Sequence, residues 1–353
     1  MLARYARRLL FIEFATYALI AGALLRPGLG WWVFAAVILG LALLMRCLAV
    51  MSTFMLAAAL SPAAGRTPPV TAGRLSIFSR LGLVAAEIAW SMLAYSVLMP
   101  FPRLSRRADS HLPANPGDVP VLLVHGYVCN GAFWALMRRF LEARCVPTYT
   151  HDLEPVYAGI DDYAGGLAER IEDICRTTGA PRLIIVGHSM GGLAARAYLR
   201  ASGCARVAKL ITLGTPHHGT RTAAMVLGTN ARQMAPGCAW LAELALKERS
   251  LPAVPVVSIY SSDDNVIVPQ HNSMLGGAKN VCISGVGHVS LAFSRKVRQI
   301  VLEEIRGAGG HGMHRYEPGR GAQGAQTERG AAAPLVEPGR SPMPMPRPPS
   351  PWQ

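Results

Sequence analysis

The chain has 353 residues, of which 51% are hydrophobic and 16% are charged, and it carries a formal net charge of +14 at pH 7. This composition is unusual for an ordinary soluble protein, and the length allows one large domain or two modest ones. Only 4 of the 35 basic residues are lysine, and residues 1–120 contain 11 arginines against 4 acidic residues. The arginines flank apolar segments, and the sequence has no zinc-finger or aromatic-basic pattern. The positive charge therefore indicates attraction to anionic lipid headgroups rather than binding to nucleic acid.

Three apolar segments near the N-terminus predict a membrane anchor. A bilayer core requires about 20 apolar residues per helix. Leu9–Leu25 fits one short span, and Trp31–Leu60 supplies either one long tilted span or one span and part of another. Leu81–Phe101 is a third candidate, although a membrane position for Glu87 would cost roughly 2–4 kcal/mol; its alternative is an amphipathic helix on the membrane surface. The apolar sequence is too long for a cleavable signal peptide. Residues 1–101 are therefore predicted to form two or three membrane helices.

Arginine clusters indicate the orientation of these helices. They lie before the first apolar segment, after the second and after the third: Arg4, Arg7 and Arg8; Arg66, Arg74 and Arg80; Arg103, Arg106 and Arg107. By the positive-inside rule the first two clusters belong in the cytoplasm, so two spans leave the rest of the chain cytoplasmic. Three spans would place it outside, which the last cluster opposes. We expect attachment to a bacterial inner membrane with the remaining chain on the cytoplasmic side.

After a polar, proline-containing linker at 102–118, short apolar strands alternate with helices. The predicted strands are Val121–Val124, Thr148–Leu153, Leu183–Val186, Val207–Leu213, Pro255–Tyr260 and Val281–Ser284. The predicted helices are Ala132–Ala143, Asp162–Thr177, Leu193–Leu199 and Leu291–Ile305. This alternation predicts an α/β domain over residues 119–306, with a mostly parallel sheet covered by helices on both faces.

Two segments fall outside this regular pattern. The insertion at 214–254 is longer than a simple crossover and carries an apolar stripe: Trp240, Leu241, Leu244 and Leu246. The stripe predicts either a lid over the functional site or an ordinary crossover helix. Residues 307–353 are rich in Gly, Ala, Pro and Arg with few large apolar side chains, and they predict a disordered tail.

The cysteines predict neither a metal site nor a disulfide framework. One lies in an apolar segment (Cys47), and six are scattered through the domain: Cys129, Cys145, Cys175, Cys204, Cys238 and Cys282. Their even number permits disulfides, but no C-x-x-C spacing occurs, so that buried free thiols are the favoured interpretation.

The segment Gly187-His188-Ser189-Met190-Gly191 contains the strongest functional signal. It follows a predicted strand and precedes a predicted helix, with a serine at the turn and glycines on both sides. A nucleophile elbow needs this order, because the serine occupies a strained turn that tolerates no neighbouring side chains. The alternative is a glycine-rich turn in which Ser189 only caps the following helix.

A serine nucleophile needs a histidine base and an acid that orients it. His288 lies between the last strand and the last helix, at the carboxyl edge of the predicted sheet, and is the predicted base. In the loop after the preceding strand, Asp264 is the preferred acid because Val266–Val268 can pack beneath it. Asp263 remains the alternative acid, and for both aspartates the competing role is a solvated turn cap.

Backbone N–H groups that stabilise a developing oxyanion are expected at two positions. One is Met190, directly after the serine, and the other is Tyr127, in the loop after the first strand. Gly126 allows the backbone of this loop to approach closely, and His125 is predicted to be a structural histidine that braces the loop.

Three motifs together resemble the α/β-hydrolase lipase/esterase superfamily, in particular its bacterial triacylglycerol-lipase-like and PGAP1-like branch. They are Leu122–Tyr127, Gly187–Gly192 and the segment Leu213-Gly214-Thr215-Pro216-His217-His218-Gly219-Thr220. The resemblance covers roughly residues 119–305, and Asp264 and His288 match the positions of that family's acid and base. It implies hydrolysis of carboxylic esters through an acyl-serine intermediate, without a cofactor.

The N-terminal anchor departs from secreted lipases and favours lipid or membrane-associated ester substrates over a digestive role. Two alternatives share these residues. One is an acyltransferase in which an alcohol, rather than water, resolves the acyl-enzyme. The other is a catalytically silent hydrolase fold that serves as a membrane-tethered scaffold.

Overall fold

Six short segments pair into one parallel sheet in the computed structural model of the chain. The strands are β1 (Val121–Val124), β2 (Thr148–His151), β3 (Leu183–His188), β4 (Val207–Leu213), β5 (Val256–Ser261) and β6 (Lys279–Ile283). Their order is β2-β1-β3-β4-β5-β6, and all five neighbouring pairs are parallel. The predicted parallel sheet is confirmed, with strand ends that differ by a few residues.

The structure describes residues 1–25, 28, 30–61, 75–104, 119–248, 250 and 253–308. Several sequence predictions lie outside these residues: most of the linker (105–118), the tail from 309 onward, and Arg66, Arg74, Arg106 and Arg107.

Seven helices accompany the sheet within the part of residues 119–308 that the structure describes. They are α4 (Ala135–Glu142), α5 (Tyr163–Thr178), α6 (Met190–Ser202), α7 (Thr229–Gln233), α8 (Ala239–Glu248), α9 (Ser290–Phe293) and α10 (Arg295–Ala308). The closing helix was expected to be continuous, but Ser294 has an extended backbone (ψ 129°) that separates α9 from α10. The Ser294 hydroxyl accepts a hydrogen bond from Val297 N, so this serine begins a second helix rather than continuing the first.

The sheet separates two apolar cores. Successive residues of a strand point to opposite faces, so Val121 and Leu123 of β1 enter one core while Leu122 and Val124 enter the other. Helices α4, α9 and α10 cover the first face, and α5, α6 and α8 cover the second. Both faces are covered as predicted.

The N-terminal region forms three further helices: α1 (Leu2–Leu24), α2 (Trp31–Leu60) and α3 (Ile77–Met92), the last continuing as a π-helical segment to Leu98. In the described part of the chain, two helices are long and apolar enough to cross a membrane, Trp31–Leu60 and Ile77–Leu98. The second apolar segment, expected as either one span or two, is a single continuous helix.

The third apolar segment packs against the sheet domain. Ala94, Leu98 and Met99 are buried in the same core as Val121 and Leu123. The ring of Trp90 stacks on that of Phe293, with centroids 5.2 Å apart and planes 11° from parallel. The described residues up to 308 fall within one compact unit, so this helix forms an outer layer of the domain.

Helices α1 and α2 pack against each other and leave much of their apolar surface exposed. The free amino group of Met1 contacts Glu154 Oε1 at 2.7 Å, and Arg221 donates a hydrogen bond to Leu60 O at 2.5 Å. The start of α1 and the end of α2 therefore both lie against the sheet domain. At 1.5 Å per residue, the opposite ends of the two helices, at Leu24 and Trp31, lie roughly 35–45 Å from these contacts.

All seven cysteines are free. Cys129 and Cys175 are buried as predicted, and burial raises the pKa of the Cys129 thiol to about 12. Cys145 and Cys282 are exposed, which the sequence interpretation as buried thiols did not anticipate.

Candidate active site

Ser189 occupies a strained turn between β3 and α6. Its φ of 54° and ψ of −125° are rare for a residue with a side chain. The turn is tight, because a Cβ on Gly191 would lie 2.4 Å from Val124 O and one on Gly187 would lie 2.6 Å from Gly192 N. Ser189 N donates a hydrogen bond to Leu213 O at 2.9 Å, which ties the turn to the end of β4. The neighbouring glycines thus explain why this backbone conformation can form.

The structure brings together Asp264 and His288, which are 24 positions apart in the chain. Asp264 Oδ2 lies 2.8 Å from His288 Nδ1, and both side chains are buried. The other carboxylate oxygen of Asp264 accepts hydrogen bonds from the backbone N–H groups of Val266 and Ile267, at 2.8 Å each. Because the carboxylate is held on one side by the backbone, it presents its second oxygen to the imidazole in a fixed orientation.

Asp263, the alternative acid, faces elsewhere. Its Oδ2 accepts hydrogen bonds from Gly285 N at 2.8 Å and from the Ser262 hydroxyl at 3.1 Å. These contacts tie the loop after β5 to the loop after β6. The geometry therefore favours Asp264 over Asp263 as the partner of His288.

Contacts at the ends of β3 and β4 place Ser189 beside the Asp264–His288 pair. The ring of His188, one residue before the serine, lies 4.7 Å from the ring of His288, and its Nε2 donates to His288 O at 3.1 Å. Gly214 follows the carbonyl that binds Ser189 N, and a Cβ there would lie 3.2 Å from Asp264 Oδ2 and 3.3 Å from His288 Nδ1. The serine, histidine and aspartate loops thus meet at the carboxyl edge of the sheet.

The surroundings of His288 favour its protonated form. Burial alone would lower the pKa of His288, but the charge of Asp264, its hydrogen bond and the charge of Glu87 together raise that pKa above its ordinary value. For His188, burial and the nearby His288 hold the pKa well below its usual range, so this ring stays neutral.

The loop after β1 lies against the serine. A Cβ on Gly126 would lie 3.0 Å from Ser189 Cβ, tighter than an ordinary contact, so the glycine lets the backbone approach the serine closely. Tyr127 follows Gly126, and Met190 is the first residue of α6. The two predicted oxyanion donors therefore belong to segments that flank Ser189, and their role as donors stays a prediction.

His125 is engaged through both ring nitrogens. Nε2 accepts a hydrogen bond from Leu153 N at 3.0 Å, and Nδ1 lies 2.9 Å from Gly126 O, to which it donates. Burial lowers the pKa of His125, which keeps the ring neutral and able to make both bonds. These contacts fit the predicted bracing of the loop.

Several residues that contact these loops were not predicted from the sequence to be part of the site. Asn265 Oδ1 accepts from His288 N at 2.9 Å, and Asn265 Nδ2 donates to Thr53 Oγ1 in α2 at 2.7 Å. Glu87 in α3 accepts hydrogen bonds from Val289 N at 2.8 Å and Ser290 N at 2.9 Å. The one signal in the sequence was Glu87 itself, a carboxylate within an apolar segment.

The insertion after β4 combines a packed helix with an exposed apolar turn. In α8, Leu241 and Leu244 are buried in the core against α6, which favours the crossover interpretation for the apolar stripe. Leu246 of the stripe is exposed, and further exposed apolar side chains lie earlier in the insertion, at Met225, Val226 and Leu227. Leu227 O accepts a hydrogen bond from Tyr127 Oη at 2.6 Å, so this turn adjoins the loop beside Ser189.

A family model and curated relatives match the central part of the chain. The palmitoyl protein thioesterase family model matches residues 120–247, about a third of the sequence. A triacylglycerol lipase from Burkholderia plantarii is 29% identical over 167 residues, covering 42% of this chain and 44% of the relative. A triacylglycerol lipase from Pseudarthrobacter phenanthrenivorans is 32% identical over 117 residues, covering 30% and 36%. The chain thus spans less than half the length of each of these relatives.

Solved structures match a larger part of the chain. The mature form of Bacillus licheniformis lipase BlEst2 superimposes with a TM-score of 0.51 at 17% identity, covering 56% of this chain and 96% of that structure. Aspergillus fumigatus lipase B superimposes with a TM-score of 0.50 at 17% identity, covering 60% and 58%. With the parallel sheet and its helices on both faces, these likenesses show that residues 119–308 have the α/β-hydrolase fold found in lipases and esterases.

Proposed function

We propose that the chain is a membrane-associated serine hydrolase of carboxylic esters, with Ser189 as nucleophile, His288 as base and Asp264 as acid. The single observation that carries this proposal is the meeting of the strained Ser189 turn with the buried Asp264–His288 pair at one edge of the sheet. A serine needs such a base, held by a third group, to react near neutral pH.

In the proposed reaction, Ser189 Oγ attacks the ester carbonyl carbon while its proton passes to His288 Nε2, since Nδ1 is engaged by Asp264. The N–H groups of Tyr127 and Met190 stabilise the oxyanion. His288 then protonates the departing alcohol, which leaves an acyl-serine. A water molecule, deprotonated by His288, attacks this acyl group and releases the carboxylate and free Ser189.

Lipid or acyl esters are the proposed substrate class. Both curated relatives are triacylglycerol lipases. The exposed turn Met225–Leu227 adds apolar surface near the Ser189 loop, with Leu227 76% exposed. Exposed apolar surface of this kind suits contact with acyl chains or a membrane.

Acyl thioesters are a second candidate class, favoured by the match to the palmitoyl protein thioesterase model. The same nucleophile and base serve both reactions, because a thioester also passes through a tetrahedral intermediate and an acyl-serine. Only the leaving group differs, a thiol in place of an alcohol.

We further propose that α1 and α2 attach the enzyme to the membrane as a hairpin. The start of α1 and the end of α2 both lie against the sheet domain, and Arg4, Arg7 and Arg8 lie at the same end of the hairpin. The positive-inside rule then places the hydrolase domain on the cytoplasmic side of an inner membrane. Within the hairpin, Glu13 and Arg46 form an ion pair of 2.7 Å, so that two charges in apolar helices compensate each other.

Hydrolysis of p-nitrophenyl esters with acyl chains of graded length, beside matched S-acyl thioesters, tests the proposed reaction. Wild-type protein should hydrolyse at least one series, and Ser189→Ala should lower the rate by several decades. A preference for long chains supports a lipase, and a preference for thioesters supports the second class. Full activity in Ser189→Ala would falsify the assignment.

A further inference from the structure

Glu87 is a buried carboxylate that lies beside His288. It belongs to α3, 201 positions before the histidine, and only 1% of it is exposed. Its Oε1 accepts a hydrogen bond from Val289 N at 2.8 Å, and its Oε2 accepts from Ser290 N at 2.9 Å and from the Ser290 hydroxyl. Burial raises the pKa of Glu87 above its ordinary value, whereas the hydrogen bonds from these three donors and the charge of a protonated His288 favour the ionised carboxylate.

The loop that carries His288 is shaped to receive this carboxylate. A Cβ on Gly287 would lie 2.4 Å from Glu87 Oε2, so that only a glycine leaves room for the carboxylate. The hydrogen bonds fall on the two residues that directly follow His288. Glu87 thus contacts this loop on both sides of His288, at Gly287 and at Val289 and Ser290.

Two further contacts hold α3 and its continuation against the sheet domain. Trp90, one turn after Glu87, stacks on Phe293 of α9. Farther along, Met99 O accepts a hydrogen bond from Asn130 Nδ2 at 2.9 Å, in the loop after β1. The helix and the residues that follow it are therefore held against the sheet domain at α9 and at the loop after β1.

We propose that Glu87 is a positioning residue of this site, one that fixes the His288 loop through its hydrogen bonds and places a second negative charge beside the imidazole. This inference rests on the proposed hydrolase function. Glu87 touches neither the substrate nor the reacting atoms in the proposed reaction, and it acts through His288. An element outside the predicted hydrolase domain would thereby complete the hydrolase site.

The charge of Glu87 distinguishes positioning from simple packing. Within the described residues, the titratable groups that face His288 are Asp264 from the loop after β5, His188 from the end of β3, and Glu87 from α3. His188 remains neutral, so the two carboxylates are the charges that stabilise the protonated imidazole. Removal of the Glu87 charge must therefore lower the pKa of His288, whereas loss of a packing contact alone need not.

The test compares four full-length proteins in detergent: wild type, Glu87→Gln, Ser290→Ala and Glu13→Gln. Glu13→Gln is the matched control, because it neutralises another carboxylate of the N-terminal helices that pairs with Arg46 and Tyr17. For each protein, kcat and KM are measured on a short p-nitrophenyl ester, and kcat/KM is followed from acid to neutral pH. Thermal unfolding reports whether each variant is folded.

For Glu87→Gln we expect kcat to fall about tenfold, because a displaced His288 ring accepts the serine proton less readily. KM should stay within about twofold of the wild-type value. The acid midpoint of kcat/KM should move to lower pH by about half a unit or more. Ser290→Ala keeps the charge but removes one hydrogen bond, so kcat should fall about threefold with an unchanged midpoint. Glu13→Gln should match wild type in both kcat and midpoint.

An unchanged kcat and midpoint in Glu87→Gln would overturn the inference, as would equal changes in Glu13→Gln. If Glu87→Gln does not fold, Ser290→Ala decides, and wild-type kcat in that variant overturns the inference. A wild-type protein that hydrolyses no ester or thioester refutes the proposed function itself. If the wild type is active and the Glu87 and Ser290 variants have its kcat and its pH midpoint, only the role of Glu87 is refuted.

Discussion

Helices α2 and α3 look alike in sequence but lie in different surroundings. Helix α2 (Trp31–Leu60) and the continuous helix Ile77–Leu98 that contains α3 are both long and apolar enough to cross a bilayer. Of the most apolar 18-residue stretch of each, however, 6% is buried in α2 and 28% in Ile77–Leu98. The apolar side chains of α2 are largely exposed, whereas Trp90 of α3, with Ala94 and Leu98 of its π-helical continuation, packs in a core of the sheet domain. A hydropathy scale measures how apolar a segment is, but it does not distinguish side chains that face lipid from side chains that pack against protein.

The charges inside the two helical regions separate these cases. Arg46 in α2 pairs with Glu13 in α1, so the hairpin compensates its own charges. Glu87 in α3 has its hydrogen-bond donors in the sheet domain. A buried charge whose partners belong to another region indicates that its helix packs there, and the predictions below test how far each region contributes to the site.

The largest expected effect lies within the sheet domain. Asp264→Asn removes the charge that orients His288 and should lower kcat about 10⁴-fold, since an amide favours the wrong imidazole tautomer. Steady-state kinetics on a p-nitrophenyl ester provide the measurement. Asp263→Asn is the matched control and should retain activity within about tenfold, because Asp263 binds Gly285 N rather than the histidine. Equal losses in both variants would contradict the assignment of the acid.

A second expected effect concerns the close packing at the end of β4. In Gly214→Ala, the new methyl would lie 2.7 Å from Leu291 Cδ1 and 3.2 Å from Asp264 Oδ2, at a φ of 56°. We expect kcat to fall about 100-fold through displacement of the Asp264–His288 pair. Gly277→Ala is the control, because Gly277 also has a positive φ (76°) but nothing within 4 Å of an added Cβ. A similar loss of kcat in the control would show that backbone strain alone is responsible.

A third, smaller effect compares the two helical regions directly. Trp90→Ala removes the ring stacked on Phe293 and should lower the free energy of unfolding by about 2 kcal/mol. Trp31→Ala, at an 82% exposed position of α2, should change it by less than about 0.5 kcal/mol. Thermal unfolding of both variants in the same detergent gives the comparison. Equal destabilisation would mean that α3 is no more a part of the sheet domain than α2.

The smallest effect is a pH dependence. His288 must be neutral to accept the serine proton, and Asp264 and Glu87 raise its pKa. Activity should therefore be present at higher pH and be lost as the pH falls through a midpoint above the ordinary histidine value of about 6.5. The profile of kcat/KM against pH measures this midpoint in the free enzyme. A midpoint below about 6 would show that burial outweighs the two carboxylates.

The alternating strands and helices were predictable because each carries a local signal. The short apolar runs Leu183–Val186 and Val207–Leu213 predicted strands of a covered sheet, and the glycines around Ser189 marked the turn. The chain order of Ser189, Asp264 and His288 then selected the residues that the structure brings together. The sequence left Asp263 open as the alternative acid; the structure separates the two, because the backbone N–H groups of Val266 and Ile267 hold Asp264 toward His288.

The contributions of the N-terminal region were not predictable in the same way. The bond from Glu87 to the His288 loop joins residues about 200 positions apart, and no local pattern records such a pairing. The break at Ser294 was also missed, since a serine within an amphipathic pattern is compatible with either a helix interior or a helix start. The cost of placing Glu87 in lipid was visible in the sequence, but its partners were not.

Reaction of the full-length protein with a fluorophosphonate probe tests the central claim most directly. Such a probe forms a stable bond with a serine that a neighbouring base activates, and mass spectrometry of the digested protein locates the adduct. The account predicts one adduct, on Ser189, in wild-type protein and none in Ser189→Ala. An unlabelled wild-type protein, or an adduct on another residue that persists in Ser189→Ala, would contradict it.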